Sequence, residues 1–380
     1  MREHAACSAA DRGGCQCVFS QPQNWAEALG ALRLTVRHIK NGVCSPQDNL
    51  MSRLDEKLAR IRAGEYRRRD FIIADAKDPD MGPGLHAVGP VRNADGTTPR
   101  LRTRAEFLAQ CADIVKQNIV DIMLASASNI EALVEGGAFK GTGVKPAIRA
   151  NDTTDVWRHR GAKHHETPSR AFRTASLSKV KGGGLTDLGL YSITFNNVTD
   201  ADVASLEAFA AFRAEAEAVG FNYFLEVFNP NAPLGLDAQD VPDFVNDSIV
   251  RCVAGLTKAE RPQFLKIPFN GPRALAELAE YDPSLIVGVL GGGAGTTRDC
   301  FELIHQAEKY GARVALFGRK INLAESPLDV VRFMRAVADG EIAPKEAVAA
   351  YHDALGKARI KPARELAADS EITEAVLKEA

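Results

Sequence analysis

Phe264-Leu265-Lys266-Ile267-Pro268-Phe269-Asn270 is a short apolar run with a single ammonium planted near its carboxyl end. An uninterrupted apolar run of this length, closed by Pro and Asn, reads as a strand covered on both faces, as strands of parallel sheets are. It is the sixth of eight such runs. The others are Phe71 to Asp75, Ile119 to Ala125, Lys145 to Arg149, Leu190 to Phe195, Asn222 to Phe228, Leu285 to Leu290 and Arg313 to Phe317, and the sixth itself extends back to Gln263. Longer amphipathic stretches lie between them. In Asp200 to Gly220, Val203, Leu206, Phe209, Phe212 and Ala216 recur at three- and four-residue spacing; Thr297 to Tyr310 sets Phe301, Ile304 and Ala307 on one face before Gly311 closes it. Alternation of this kind predicts repeated βα units and a parallel sheet, and eight units close most economically into a (β/α)8 TIM barrel. An open doubly wound sheet is the alternative. Against it, the first run is followed by Lys77-Asp78-Pro79-Asp80 and not by the glycine-rich turn of dinucleotide-binding folds.

The barrel is expected over residues 51–345, preceded by a 1–50 extension that is disordered or partly helical and followed by a helical tail over 346–380. Met51 to Gly64 reads as a helix capping the barrel's bottom, and Ser326 to Gly340 and Pro344 to Lys357 as two terminal helices. The chain has 45% hydrophobic and 25% charged residues and a net charge of -2, so no global field draws it to nucleic acid or to an anionic membrane. No apolar run approaches membrane-spanning length and the first residues lack a signal-peptide core, which leads us to expect a cytoplasmic protein. Three of the seven cysteines, Cys7, Cys15 and Cys17, crowd the N-terminus with His4. Cys15-Gln16-Cys17 lacks the two-residue gap of zinc knuckles, so neither a metal nor a cofactor is expected there, and the segment reads as a floppy extension or as residues upstream of a start at Met51.

Lys266 carries the first chemical signal. A buried amine without a partner escapes its desolvation cost by becoming neutral, and a neutral amine can form a Schiff base with a carbonyl substrate; a structural lysine paired with a carboxylate is the alternative. On the fifth run, Leu225-Glu226-Val227 places a carboxylate at the depth where a neighbour of Lys266 should sit, suited to general acid/base work or to a plain ion pair with Lys266 or Arg149. The seventh run ends in Gly291-Gly292-Gly293 and the eighth in Gly318-Arg319. Glycine amides and an arginine in that position can hold a phosphate, which barrels commonly bind after their last two strands. Asp75, at the end of the first run, can bind substrate hydroxyls or polarise Lys266. Asp75, Asp78 or Asp80 with Glu226 could instead hold a divalent metal, which would make the barrel an isomerase, epimerase or decarboxylase. On the third run Arg149 is a further candidate for binding the substrate or its phosphate, and Asp152 follows it; Ser126, Ser128 and Asn196 are candidate hydroxyl contacts, while His164 and His165 are adjacent and make no clean metal pair. The connection 156–189 is unusually long and basic, and it reads as a lid over the barrel mouth, a solvated excursion or a subunit contact.

Taken together, Phe264 to Pro268, Leu225-Glu226-Val227 and the glycine run with Gly318-Arg319 resemble the class I, Schiff-base aldolases of the deoxyribose-phosphate, tagatose-bisphosphate and archaeal-type fructose-bisphosphate aldolase superfamily. The resemblance covers roughly residues 65–340 and rests on short motifs. It implies a lyase acting on a phosphorylated sugar, with Lys266 forming the iminium, Glu226 shuttling protons and Gly292, Gly293 and Arg319 holding a phosphate. It also implies an assembly of identical subunits. Where archaeal-type members carry a catalytic tyrosine, this chain has Phe195 and Asn196, with Tyr191 at the strand's start. A barrel that binds a sugar phosphate without turning it over is the non-enzymatic alternative.

Overall fold

All eight apolar runs become parallel strands in the computed structural model, which describes residues 52–232, 235–293 and 295–379. In chain order the strands are β1 Ile72–Ala76, β2 Ile122–Ala125, β3 Lys145–Arg149, β4 Asp152–Thr153, β5 Ala171–Phe172, β6 Leu188–Thr194, β7 Asn222–Phe228, β8 Leu265–Lys266, β9 Gly288–Leu290 and β10 Val314–Phe317. β4 and β5 form a separate antiparallel pair; the other eight run in the order β8-β7-β6-β3-β2-β1-β10-β9. Closure comes from Ile267, which bridges Val289, donates its N–H to Gly288 O at 2.9 Å and accepts from Leu290 N at 2.8 Å. The architecture is a (β/α)8 barrel.

The sixth run is shorter as a strand than its apolar length suggests, because Pro268 has no N–H to donate and pairing stops beside it. The second begins only at Ile122, after the Asp121 carboxylate accepts the Ile73 amide at 2.9 Å, and the fourth starts two residues early at Leu188. Strand periodicity then sorts the side chains. Ile72, Ala74, Leu124, Ala147, Leu190, Phe224, Phe264 and Leu316 fill the barrel interior, where the Phe224 and Phe264 rings stack with centroids 4.5 Å apart. Leu54 and Leu58 of helix Arg53–Arg62 join this interior cluster and plug its floor. Ile73, Met123, Ile148, Ile193, Leu225, Leu265 and Phe317 face the other way and pack against the helices. Two positions beyond Ala147, Leu190, Phe224 and Phe264 come Arg149, Ser192, Glu226 and Lys266, so all four point inward at one level near the carboxyl ends of their strands.

The long basic connection is an ordered excursion. β4 pairs with β5, Trp157 stacks on His164 with centroids 4.3 Å apart, and helix Leu177–Gly182 leads back to β6. The segment after β7 holds it, since Asn231 Nδ2 donates to His165 O and Thr167 O at 2.8 Å; beyond β6, Asn196 Oδ1 accepts from Ser169 N at 2.8 Å. Helix Pro344–Lys357 buries Val348, Tyr351 and Leu355 in the outer core, so the chain past residue 345 continues the helical layer. Its last segment returns to the start of helix Thr297–Lys309, where Asp369 Oδ1 accepts from Thr297 N at 2.8 Å and Asp299 Oδ1 from Thr373 N at 2.7 Å. Among the described residues no helix is long and apolar enough to cross a membrane. The cysteine-bearing N-terminus lies outside the described residues.

Candidate active site

Strands β7 and β8 are in register so that Glu226 lies beside Lys266. Just beyond their ends, Asn229 and Asn270 exchange reciprocal amide hydrogen bonds of 2.8 Å, which ties the two strand exits together. In this frame the Lys266 ammonium lies 2.6 Å from Glu226 Oε1, with Lys266 8% and Glu226 1% exposed. The other carboxylate oxygen, Oε2, accepts the Ser192 hydroxyl at 2.6 Å and faces an Arg149 nitrogen at 3.5 Å. Both oxygens are thus committed to donors, which fixes the carboxylate's rotation and aims one oxygen at the amine.

Arg149 is the hub of a buried charge network. Its guanidinium pairs with Asp78, donates to Ser192 Oγ at 3.0 Å and lies 3.5 Å from Asp152. Burial alone would pull its ionisation down; the carboxylates of Asp78, Glu226 and Asp152 more than reverse this and keep it charged. Burial likewise pushes Asp78 up, but Arg149 and Lys266 outweigh it and hold that carboxyl below the usual range. Asp152 goes the other way. Burial pushes it up to about 7, against the pull of Arg149 and with the help of the negative charges on Asp78 and Glu226. The network holds Asp78, Asp152 and Glu226 against Arg149 and Lys266, so three carboxylates face two cations. Protonation of Asp152 near neutrality removes the excess negative charge.

Not every residue singled out from the sequence arrives here. Asp75 has the parity of Ile73 and faces the helix layer, where it pairs with Lys77 at 2.9 Å; burial pushes its carboxyl up to about 6 against the pull of that ammonium. It meets neither Lys266 nor Glu226, because a one-residue offset along a strand places a side chain on the opposite face. The metal-binding alternative loses its geometry for the same reason. Asp78 is held by Arg149, and Asp80 accepts from Ser126 Oγ at 2.6 Å and Asn129 Nδ2 at 3.1 Å. Among the described residues, no group of three or more His, Cys, Asp or Glu is placed to hold a metal ion.

The expected phosphate clamp is also divided. Gly291, Gly292 and Gly293 line a cavity of about 900 Å³ together with Asn270 and Lys320, beside but not including Lys266 and Glu226. Gly291 packs against the Phe317 ring and Gly318 against the Ala76 carbonyl, so both glycines serve strand packing. Only Gly292, at φ +59°, needs the left-handed region, and the Glu374 carboxylate lies beside Gly293. Arg319 turns away from this cavity: it donates to Gly292 O at 2.6 Å and lines a second cavity with Lys320. Arg149, also expected at the phosphate, is instead consumed by the carboxylates around it.

Ser192 and the Asn229–Asn270 pair were not anticipated. Ser192 stands at i+2 from Leu190 along an inward row, a signal available in the sequence; the amide pair joins residues 41 apart and has no local signature.

No protein-family model matches the chain, and no curated protein matches it. Solved structures do. An archaeal fructose 1,6-bisphosphate aldolase superposes with a TM-score of 0.55 at 15% identity, over 76% of this chain and 99% of that one. An archaeal fructose-1,6-bisphosphate aldolase with its catalytic Lys covalently bound to the carbinolamine intermediate gives 0.52 at 16%, over 75% and 98%. A Corynebacterium glutamicum protein gives 0.51 at 18%, over 85% and 100%. At these identities the likeness establishes the barrel fold.

Proposed function

We propose that this protein is a class I aldolase that cleaves or forms a carbon–carbon bond in a phosphorylated ketose through a Schiff base on Lys266. The observation that carries the reading is the inward-facing pair of Lys266 and Glu226, 2.6 Å apart in the barrel mouth, with the second Glu226 oxygen held by Ser192. Two of the similar solved structures are Schiff-base aldolases of known chemistry, one of them trapped as a carbinolamine on its lysine, and that supports the assignment.

The chemistry follows from the pair. Lys266 must shed a proton to attack a carbonyl, and Glu226 Oε1 is in position to take it; the transfer turns two buried charges into a neutral acid and a neutral amine. The amine adds to the ketose carbonyl to give a carbinolamine, and Glu226 returns the proton to the departing hydroxyl as water leaves. The resulting iminium draws in the electron pair of the bond between the α and β carbons as that bond breaks, while a carboxylate removes the β-hydroxyl proton and releases the aldehyde. The enamine is then reprotonated and hydrolysed. Arg149, fixed among three carboxylates, keeps Glu226 oriented through the cycle, and Asp152, titrating near neutrality, is the second proton store. The metal-dependent reading is not favoured, since Asp75 faces away from Asp78 and Glu226.

Borohydride reduction in the presence of a panel of phosphorylated ketoses tests the assignment directly. An irreversible mass increase mapped to Lys266, absent from Lys266→Ala, is the expected result. Turnover retained in Lys266→Ala would overturn it.

A further inference from the structure

Beside the glycine segment lies a second, smaller cavity of about 340 Å³, walled by Arg92, Arg319, Lys320 and Arg364. These cations come from separate parts of the chain: Arg92 from the connection after β1, Arg319 and Lys320 from the exit of β10, and Arg364 from the C-terminal segment. Among the described residues none of the four has a carboxylate within ion-pair distance. The two acids in the wall make their hydrogen bonds to other groups. Glu325 accepts from Ala363 N at 2.6 Å and from Tyr351 Oη at 2.9 Å, while Asp369 accepts from Thr297 N at 2.8 Å and lies 3.0 Å from His352. Both acids keep their negative charge, and against the upward push of burial Lys320 helps to hold the Asp369 carboxyl below the usual range, so the wall sets four cations against two carboxylates and an entering anion would balance the excess positive charge.

Backbone carbonyls hold the cations in place. Arg319 donates to Gly292 O at 2.6 Å, and Lys320 and Arg364 donate to Gly295 O at 3.1 and 3.5 Å. Each keeps further N–H donors free, since a guanidinium carries five and an ammonium three. The larger cavity has the opposite character on its C-terminal wall. Glu374 lies beside Gly293 and Glu379 beside Gly271, so an anion settling on the glycine segment from that side would face two carboxylates. Lys320 borders both spaces.

We infer that the cavity walled by Arg92, Arg319, Lys320 and Arg364 is a binding site for a phosphate-class anion, and that it, not the glycine segment, takes the anionic group this protein recognises. Two sources share that chemistry: the phosphorylated end of the substrate, which rests on the aldolase reading above, and a free phosphate ligand, which does not. The volume suits a phosphoryl group and a few adjoining atoms, at the low end of ligand pockets.

Isothermal titration of the full-length protein with inorganic phosphate at low salt is the test, with Arg92→Ala, Arg364→Ala and the double variant as comparisons. Wild-type protein should bind phosphate, and the double variant should bind at least tenfold more weakly with an unchanged thermal midpoint in phosphate-free buffer. Absence of phosphate binding by the wild type, or equal binding by the double variant, would overturn the site. If truncation unfolds the chain, Arg92→Gln and Arg364→Gln are read by the same titration against the same criterion. Lys266→Ala should bind phosphate as the wild type does, which separates failure of this site from failure of the Schiff-base reading. Turnover of a phosphorylated ketose then tells the sources apart: a raised KM at constant kcat in the double variant identifies the substrate's anionic end, and an unchanged KM with lost phosphate binding identifies a separate ligand.

Discussion

Glu226→Gln isolates the proton-transfer role of the central carboxylate, because the amide preserves size and can still hydrogen-bond Ser192 but can neither carry charge nor accept the proton of Lys266. At a separation of 2.6 Å the Glu226–Lys266 pair has a direct Coulomb attraction of about 6 kcal/mol at an effective dielectric near 20. The substitution removes that attraction and leaves Arg149 and Lys266 with one carboxylate fewer; breaking a buried pair from one side costs roughly 3–5 kcal/mol of stability. It also favours the neutral amine. The two consequences diverge: Lys266 remains able to attack a carbonyl, yet the steps that move protons lose their acceptor. Loss of a general acid/base lowers rates by about 10²–10⁴. The expected outcome is a borohydride adduct still trapped at Lys266 but accumulating more slowly, because Glu226 also protonates the departing carbinolamine hydroxyl, together with retro-aldol turnover down by that factor and a lower thermal midpoint. Mass spectrometry of the reduced adduct, steady-state kinetics and a melting curve measure the three. Turnover within threefold of wild type would refute the role given to Glu226, and loss of the adduct in a folded variant would refute the separation of attack from proton transfer.

Asp152 sets a pH dependence whose sign is determined by burial. Its folded-state value, about 7, lies above the usual carboxylate value, so the folded chain holds an extra proton between roughly pH 4 and 7, and stability falls as pH rises through that window by an amount on the order of 4 kcal/mol. Urea unfolding at pH 5 and pH 8 samples the upper part of that window and should show a loss of roughly 2–3 kcal/mol, and Asp152→Asn should flatten most of it; an equal slope in the variant would contradict the assignment. Asp75→Asn should leave turnover within about threefold, because the side chain faces the helix layer, while stranding buried Lys77 at a cost of about 3–5 kcal/mol in chemical denaturation. A tenfold loss of kcat there would restore Asp75 to the site. Gly318→Ala would place a Cβ 1.9 Å from the Ala76 carbonyl oxygen, so the exits of β10 and β1 must part, and a loss of about 1–3 kcal/mol is expected from the melt.

The barrel is legible in the chain because its signal is local. Apolar runs and amphipathic stretches alternate at spacings that only βα units satisfy, and the runs Lys145 to Arg149 and Asn222 to Phe228 coincide with β3 and β7. Lys266 and Glu226 are legible as buried charges on neighbouring strands for a related reason, since each is a charged residue in an otherwise apolar run. Asp75 met the same description and has a different fate. It sits one residue out of step with the inward row, and a run covered on both faces carries no alternation to show which face is inward.

What needed the folded chain is what long-range contact creates. Arg149 reads as an anion-binding arginine until Asp78, Ser192 and Glu226, as many as 77 positions away, converge on its guanidinium. The pairing of Arg319 with Gly292 O, and the meeting of Arg92 with Arg364 across one cavity, likewise depend on how loops after different strands and the C-terminal segment lie against one another. Periodicity along a chain reports which face of an element is apolar, so residue order settles the fold class and the strand that carries the buried lysine. Charges acquire roles from their neighbours in space, and those neighbours are chosen only when the barrel closes.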